Sequence, residues 1–125
     1  MRFSERMIGG VTVLDLEGRL TFTAAAEMGQ RIQTLVVGGA THLVLNLADV
    51  SYVDSAGLGA IVEAFTVARH KAVRLTLLNP TERTRHLLEI TGLARIVETF
   101  GSEAAALASG ETVEDQHVVS SAPQQ

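Results

Sequence analysis

Between Val11 and Phe100, apolar runs of strand length alternate with longer stretches whose apolar residues recur at helical spacing. That alternation limits the chain to a small set of layered folds. Phe3 to Ile8 and Val11 to Leu16 flank Gly9-Gly10, a pair suited to a two-residue hairpin turn. Further strands are expected at His42 to Leu47 (HLVLNL), Val73 to Leu78 (VRLTLL) and Ile96 to Phe100. Gly18-Arg19-Leu20-Thr21 is expected to leave the sheet. Thr21 or Thr23 then caps a helix to about Val37, with Ala25, Met28, Ile32, Leu35 and Val36 as its buried stripe, and Gly38-Gly39 ends it. A second helix, finishing near His70-Lys71, turns Leu58, Ile61, Val62 and Phe65 inward. Thr81 caps a third, which buries Leu87, Leu88 and Ile90 and closes at Gly92. Ser102 caps a short fourth through Ala108.

This order, β-β-α-β-α-β-α-β-α, implies right-handed crossovers and an α/β fold. The expected sheet is mixed and mainly parallel, with about five strands and about four helices. Val11 to Leu16 is apolar on both faces, which suits a strand covered on both sides. Residues 1–108 read as one folded domain. Residues 109–125 (SGETVEDQHVVSSAPQQ) are polar and aperiodic, and are expected to form a flexible tail.

Composition removes several functions. Aromatic residues make up only 4%, so the core must be aliphatic. There is no cysteine, which excludes disulfides and thiolate metal or redox chemistry. The net charge is −4 and nine of the ten cations are arginines scattered along the chain, so direct nucleic-acid binding is disfavoured. No apolar run approaches the roughly 20 residues that span a bilayer. The N-terminus MRFSERMIGG lacks a signal-peptide core. A soluble cytoplasmic protein without membrane insertion is expected. The four histidines, His42, His70, His86 and His117, share no metal-ligand spacing, and no cofactor is expected.

The chemically suggestive stretch is VSYVDSAGLGAIVEAF, Val50 to Phe65, on a strand-to-helix loop where sites of open α/β sheets collect. Asp54 or Ser55 suits a helix N-cap. Gly57 and Gly59 in the first turn suggest a close approach to the backbone, since each glycine inside a helix costs about 1 kcal/mol relative to alanine. A serine-hydrolase elbow requires G-x-S-x-G, but Val53 occupies the first glycine position, and no later histidine and aspartate make a convincing pair. There is no G-x-x-x-x-G-K-[ST], and Gly57-Leu58-Gly59 does not complete a dinucleotide fingerprint. A regulated serine fits better. A phosphate on Ser55 would meet unpaired amides at the positive end of a helix and add about −1.5 to −2 charges beside Asp54 and Asp49.

The segment D-S-A-G-L-G after V-S-Y-V resembles the signature of anti-sigma factor antagonists, the single-domain STAS proteins. E-G-R-L-T, L-V-L-N-L-A-D-V, L-T-L-L-N-P, L-L-E-I-T-G-L and F-G-S-E-A-A-A-L extend the resemblance over about residues 5 to 107. The resemblance implies a STAS-like sheet and no catalytic activity. It implies that the unmodified protein sequesters an anti-sigma factor, a serine kinase of the histidine-kinase-like ATPase fold, and so frees a sigma factor. It makes Ser55 the phosphoacceptor, surrounded by Asp54, Ala56 and Gly57, with a PP2C-type phosphatase reversing the modification. Thr21, Phe22, Asp49, Tyr52 and Leu58 become candidate partner contacts, although in a chain so poor in aromatics Phe22 and Tyr52 are first expected to plug the core. The sequence departs from the family's usual pattern at Thr21, Asn46 and Ala56, where an acid, an aspartate and a second serine are common. The alternative is the same fold without phosphorylation, as a subunit of a lipid-transport ABC complex or a stress-signalling scaffold.

Overall fold

Gly9 and Gly10, with φ of 56° and 83°, turn the chain between β1 (Arg2–Ile8) and β2 (Val11–Leu20), which pair antiparallel. Both glycines occupy the left-handed conformation that a tight hairpin turn demands. The computed structural model describes residues 1–109. Three further strands, β3 (His42–Val53), β4 (Arg74–Leu78) and β5 (Thr99–Phe100), join in parallel, giving the sheet order β1-β2-β3-β4-β5. The mixed, mainly parallel sheet matches the expectation. The helices are α1 (Phe22–Val37), α2 (Ser55–His70), α3 (Glu82–Ile90) and α4 (residues 103–109), with a 3-10 turn at Leu93–Arg95.

Because every parallel crossover steps to the next strand in the same direction, right-handedness puts α1, α2 and α3 on one face. Leu14, Leu16, Leu43, Leu45, Leu47, Leu75 and Leu77 meet Met28, Ile32, Ile61 and Leu88 there, in one aliphatic core. Each fully buried leucine contributes roughly 2 kcal/mol. The opposite face carries Val11, Val13, Val44 and Leu78, and α4 covers it through Ala106 and Leu107. Arg6 fastens that cover: it donates to both oxygens of Asp15 and to Glu103 of α4, at 2.6 to 3.2 Å. The two-sided apolar pattern of Val11 to Leu16 is explained by this second, smaller core.

Several sequence expectations need correction. Gly18 to Leu20 do not leave the sheet, because β2 continues to Leu20 beside an equally prolonged β3. The left-handed residue after α1 is Gly39, at φ 101°, while Gly38 is not left-handed. The inward face of α2 is Gly57, Ile61, Ala64 and Ala68. A Cβ on Gly57 would stand 2.2 Å from the Leu20 carbonyl oxygen, so Gly57 must face β2 and its position fixes the rotation of the helix. That rotation leaves Val62 exposed and Leu58 and Phe65 half-buried. Nothing approaches within 4 Å of a Cβ on Gly59, so the close approach expected there is absent. In α3 only Thr84 and Leu88 are buried, and Ile90 is 64% exposed because one helical turn separates the two inward positions and Ile90 lies beyond them. The last strand is shortened to Thr99–Phe100 by the 3-10 turn. Ser102 does cap α4, accepting from the Ala105 amide at 3.2 Å, and the helix includes Ser109. The rest of the expected tail, 110–125, lies outside the described residues.

One buried polar group is under-satisfied. His42, on the α4 side of the sheet, faces the Thr76 hydroxyl through Nε2 at 3.1 Å, while Nδ1 is buried without a partner among the described residues. Burial, then the Arg74 charge, lowers its pKa to about 4 against a counteracting pull from Glu98. An unfolded histidine titrates near 6.5, so the unfolded chain takes up the proton first as the solution is acidified. Stability should therefore be full above about pH 6.5 and fall as pH drops towards 4, by at most about 1.4 kcal/mol per pH unit from this group. Urea melts at pH 7.5, 6.5, 5.5 and 4.5 will measure the slope, and His42→Gln should flatten it. A second prediction concerns the glycines. Gly57→Ala should cost about 2 kcal/mol or more by overpacking against backbone, whereas Gly59→Ala should be neutral or stabilise by up to about 1 kcal/mol. Thermal melts of the two variants will separate them.

Candidate functional site

β4 pairs with β3 only as far as Leu78 opposite Asn46, while the β2–β3 ladder continues to Leu20 opposite Val53. Two strands thus project past their neighbour and carry the loop that follows. Two register shifts, between Asp15 and Glu17 and between Gly18 and Arg19, bend this extension. Asn46 anchors its base. Its Nδ2 donates to Asp15 Oδ1 at 2.7 Å, and its Oδ1 accepts from the Ala48 amide at 3.2 Å. The Arg6 guanidinium, assisted by Asn46 and opposed by partial burial, holds the Asp15 carboxyl below the usual carboxylate range. An aspartate at position 46 would set a second carboxylate against Asp15, so the departure at Asn46 suits its neighbour. Asp49, just beyond, is exposed.

The Leu20 carbonyl then organises the start of α2. It accepts from the Asp54 amide at 3.3 Å and presses against the face of Gly57. Asp54 is the N-cap: its Oδ1 accepts from the Gly57 amide at 2.8 Å. The alternative between Asp54 and Ser55 as cap is thereby resolved. Ser55 is the first helical residue and is exposed, and its hydroxyl has no hydrogen-bond partner among the described residues. Ala56 beside it is half-buried. The amides of Ser55 and Ala56, like those at any helix start, have no intrahelical acceptor. Among the described residues no histidine or carboxylate bonds the hydroxyl as a base would. His70 closes α2 fifteen residues later, about 22 Å along the axis at 1.5 Å per residue. His42 opens β3, at the other end of the strand that leads to Ser55. A shallow groove of about 350 Å³ between α1 and α2, lined by Ala25, Ala26, Gly29, Ala60 and Ala64, does not include Ser55.

The remaining candidates divide. Thr21 stands at the N-cap position of α1, half-buried, with no side-chain cap bond. Phe22 is 76% exposed, so the expectation that it plugs the core is overturned: the first residue of α1 points away from the stripe of Ala25, Met28 and Ile32. Tyr52 does not plug the core either. It is half-buried, with the guanidinium carbon of Arg19 at 4.5 Å and that of Arg83 at 5.2 Å from its ring centroid. Leu58 is half-buried against the main core and offers only part of its side chain. Arg19 and Arg83 were missed by sequence reasoning. Arg19 is in register with Tyr52, which a longer β2 would have revealed, but Arg83 arrives from α3 and leaves no local signal.

The STAS domain model matches residues 3–106. The chain is 35% identical over 81 residues to the anti-sigma-B factor antagonist of Listeria monocytogenes, covering 65% of this chain and 71% of that protein. It is 34% identical over 85 residues to the anti-sigma-B factor antagonist of Bacillus subtilis, covering 68% and 77%. Its fold is similar to that of the anti-sigma factor antagonist SpoIIAA in its unphosphorylated form, with a TM-score of 0.76 and 26% identity over 89% of this chain and 97% of that one. The phosphorylated form of SpoIIAA gives a TM-score of 0.69 and 26% identity, over 86% and 98%. No helix among the described residues is long and apolar enough to cross a membrane. With the family model spanning both cores and the Ser55 loop, the chain belongs to the STAS domain family.

Proposed function

We propose that this protein is an anti-sigma factor antagonist, a binding module without catalytic activity that phosphorylation of Ser55 switches off. The observation that carries the proposal is the exposed, unpartnered Ser55 hydroxyl at the first position of a 16-residue helix whose cap is already supplied by Asp54. Because Asp54 does the structural work, Ser55 is free to be modified without loss of the helix start. The relatives named anti-sigma-B factor antagonists, and the two forms of SpoIIAA, support the assignment.

In this scheme the unmodified face binds an anti-sigma factor that is itself a serine kinase of the histidine-kinase-like ATPase fold, and so frees its sigma factor. Phe22, Thr21, Asp49 and Tyr52 flank the docking site, with Phe22 as the apolar anchor. The kinase transfers the γ-phosphoryl group of ATP to Ser55 Oγ. The hydroxyl loses its proton, the bond from the γ-phosphorus to the bridging oxygen breaks, and ADP leaves. A PP2C-type phosphatase hydrolyses the ester with water, returning the hydroxyl and releasing inorganic phosphate. The added charge of about −1.5 to −2, beside Asp54 and Asp49, repels the docked partner without unfolding the domain.

Incubation with the kinase and ATP should place one phosphate on Ser55, read by mass spectrometry of the tryptic peptide. Ser55→Ala should remain unlabelled yet bind the kinase, and Ser55→Asp should bind about tenfold more weakly or worse. Labelling that persists in Ser55→Ala would refute the site. Phe22→Ala should weaken binding by about tenfold while leaving the melting temperature unchanged, because the ring is exposed in the free protein.

A further inference from the structure

The arginines of the described residues fall into distinct groups. Arg2, Arg6, Arg31 and Arg74 each hold a carboxylate: Glu17, Asp15 with Glu103, Glu27, and Glu98 respectively. Arg19, Arg69, Arg83, Arg85 and Arg95 hold none, and of these Arg19 and Arg83 stand together. Both rest on the same tyrosine ring, at 4.5 and 5.2 Å from its centroid. Two like charges gathered on one ring, neither paired with a carboxylate among the described residues, repel one another. The ring face compensates only weakly at a partly exposed site. Such a pair is set to receive an anionic group.

The backbone says which group lies nearby. Tyr52 precedes Ser55 by three residues, a span of at most about 10 Å even if fully extended. Arg19 immediately precedes Leu20, whose carbonyl accepts from the Asp54 amide and touches Gly57, so β2 delivers Arg19 to the same loop. Arg83 is the second residue of α3. We infer that Arg19 and Arg83 leave the Tyr52 ring to bind the phosphate once it is attached to Ser55. Guanidinium groups bind phosphate oxygens through short, charge-assisted and often bidentate hydrogen bonds, which outweigh stacking on a neutral ring. Phosphorylation then does two things at once. It adds negative charge to the docking face, and it withdraws two cations from Tyr52, uncovering a ring that the unmodified protein shields.

This inference rests on Ser55 as the phosphorylated residue, but its test does not depend on any kinase. Phosphoserine is introduced at position 55 of the full chain by genetic-code expansion, and the phosphate is titrated by 31P NMR between pH 4 and 8. A phosphoserine monoester releases its second proton near pH 6. Two bound guanidiniums should lower that midpoint by about half a unit to one unit relative to the Arg19→Gln/Arg83→Gln double variant, with each single variant between. Thermal melts establish that the variants are folded, as expected for exposed side chains. Coincident midpoints in the parent and the folded double variant would overturn the inference and leave the switch itself intact. Failure of the kinase to label Ser55 would instead remove the switch and leave the titration result standing.

Discussion

The parallel pairing of β2 with β3 is the constraint on which the rest of the molecule depends. These two strands, of 10 and 12 residues, are the longest of the sheet, and they alone continue past β4. Leu14, Leu16 and Leu20 of β2 and Leu43, Leu45, Leu47, Val50 and Val53 of β3 are buried in the main core, so a register slip of one residue would turn them toward the small one. The pairing also delivers Leu20 to Val53, and through the Leu20 carbonyl it sets the first turn of α2. The exposure of Ser55 is therefore a consequence of strand register. It does not depend on loop chemistry alone.

The position of the loop that carries Ser55 was legible because its signals are local. Asp54 and Ser55 precede a helix, and a strand-to-helix loop at the carboxyl end of a parallel strand is where such sheets place their sites. The hairpin, the three long helices and the aliphatic core were legible for the same reason, since periodicity and turn residues act over a few positions. What was not legible depended on contacts from elsewhere. The inward face of α2 follows from Gly57 meeting β2, and periodicity alone could not favour Gly57, Ala64 and Ala68 over Leu58, Val62 and Phe65. Small residues bring the helix close to the sheet, a packing choice that a scale of hydrophobicity ranks last. Phe22 and Tyr52 misled for a related reason. Their scarcity suggested core use, yet the core is filled by leucine and valine, and the rings are left for the surface.

Electrostatics divides the molecule into two regions. On the α4 side, Arg6, Asp15, Asn46 and Glu103 form a closed set in which each charge is met, and the set fastens a helix to a sheet face. Around Tyr52 the charges are open: Asp49 is exposed, and Arg19 and Arg83 lie over the ring without pairing to a carboxylate among the described residues. Networks whose hydrogen bonds are complete stiffen a fold, while unmet charges at a surface cost little there and keep their capacity to respond to a new neighbour. Asn46 joins the two regions, since one end of its amide bonds Asp15 and the other bonds the backbone just before Asp49.

The hold of Arg74 on the Ser109 carbonyl, at 2.9 Å, has a geometric corollary. Arg74 pairs with His42 at the start of the parallel strands, and Val53 lies eleven residues further along β3. At about 3.3 Å per residue, roughly 35 Å of sheet separates the last turn of α4 from the serine. A fluorophore or surface tether attached at that remote pole would report on a bound regulator without obstructing its approach.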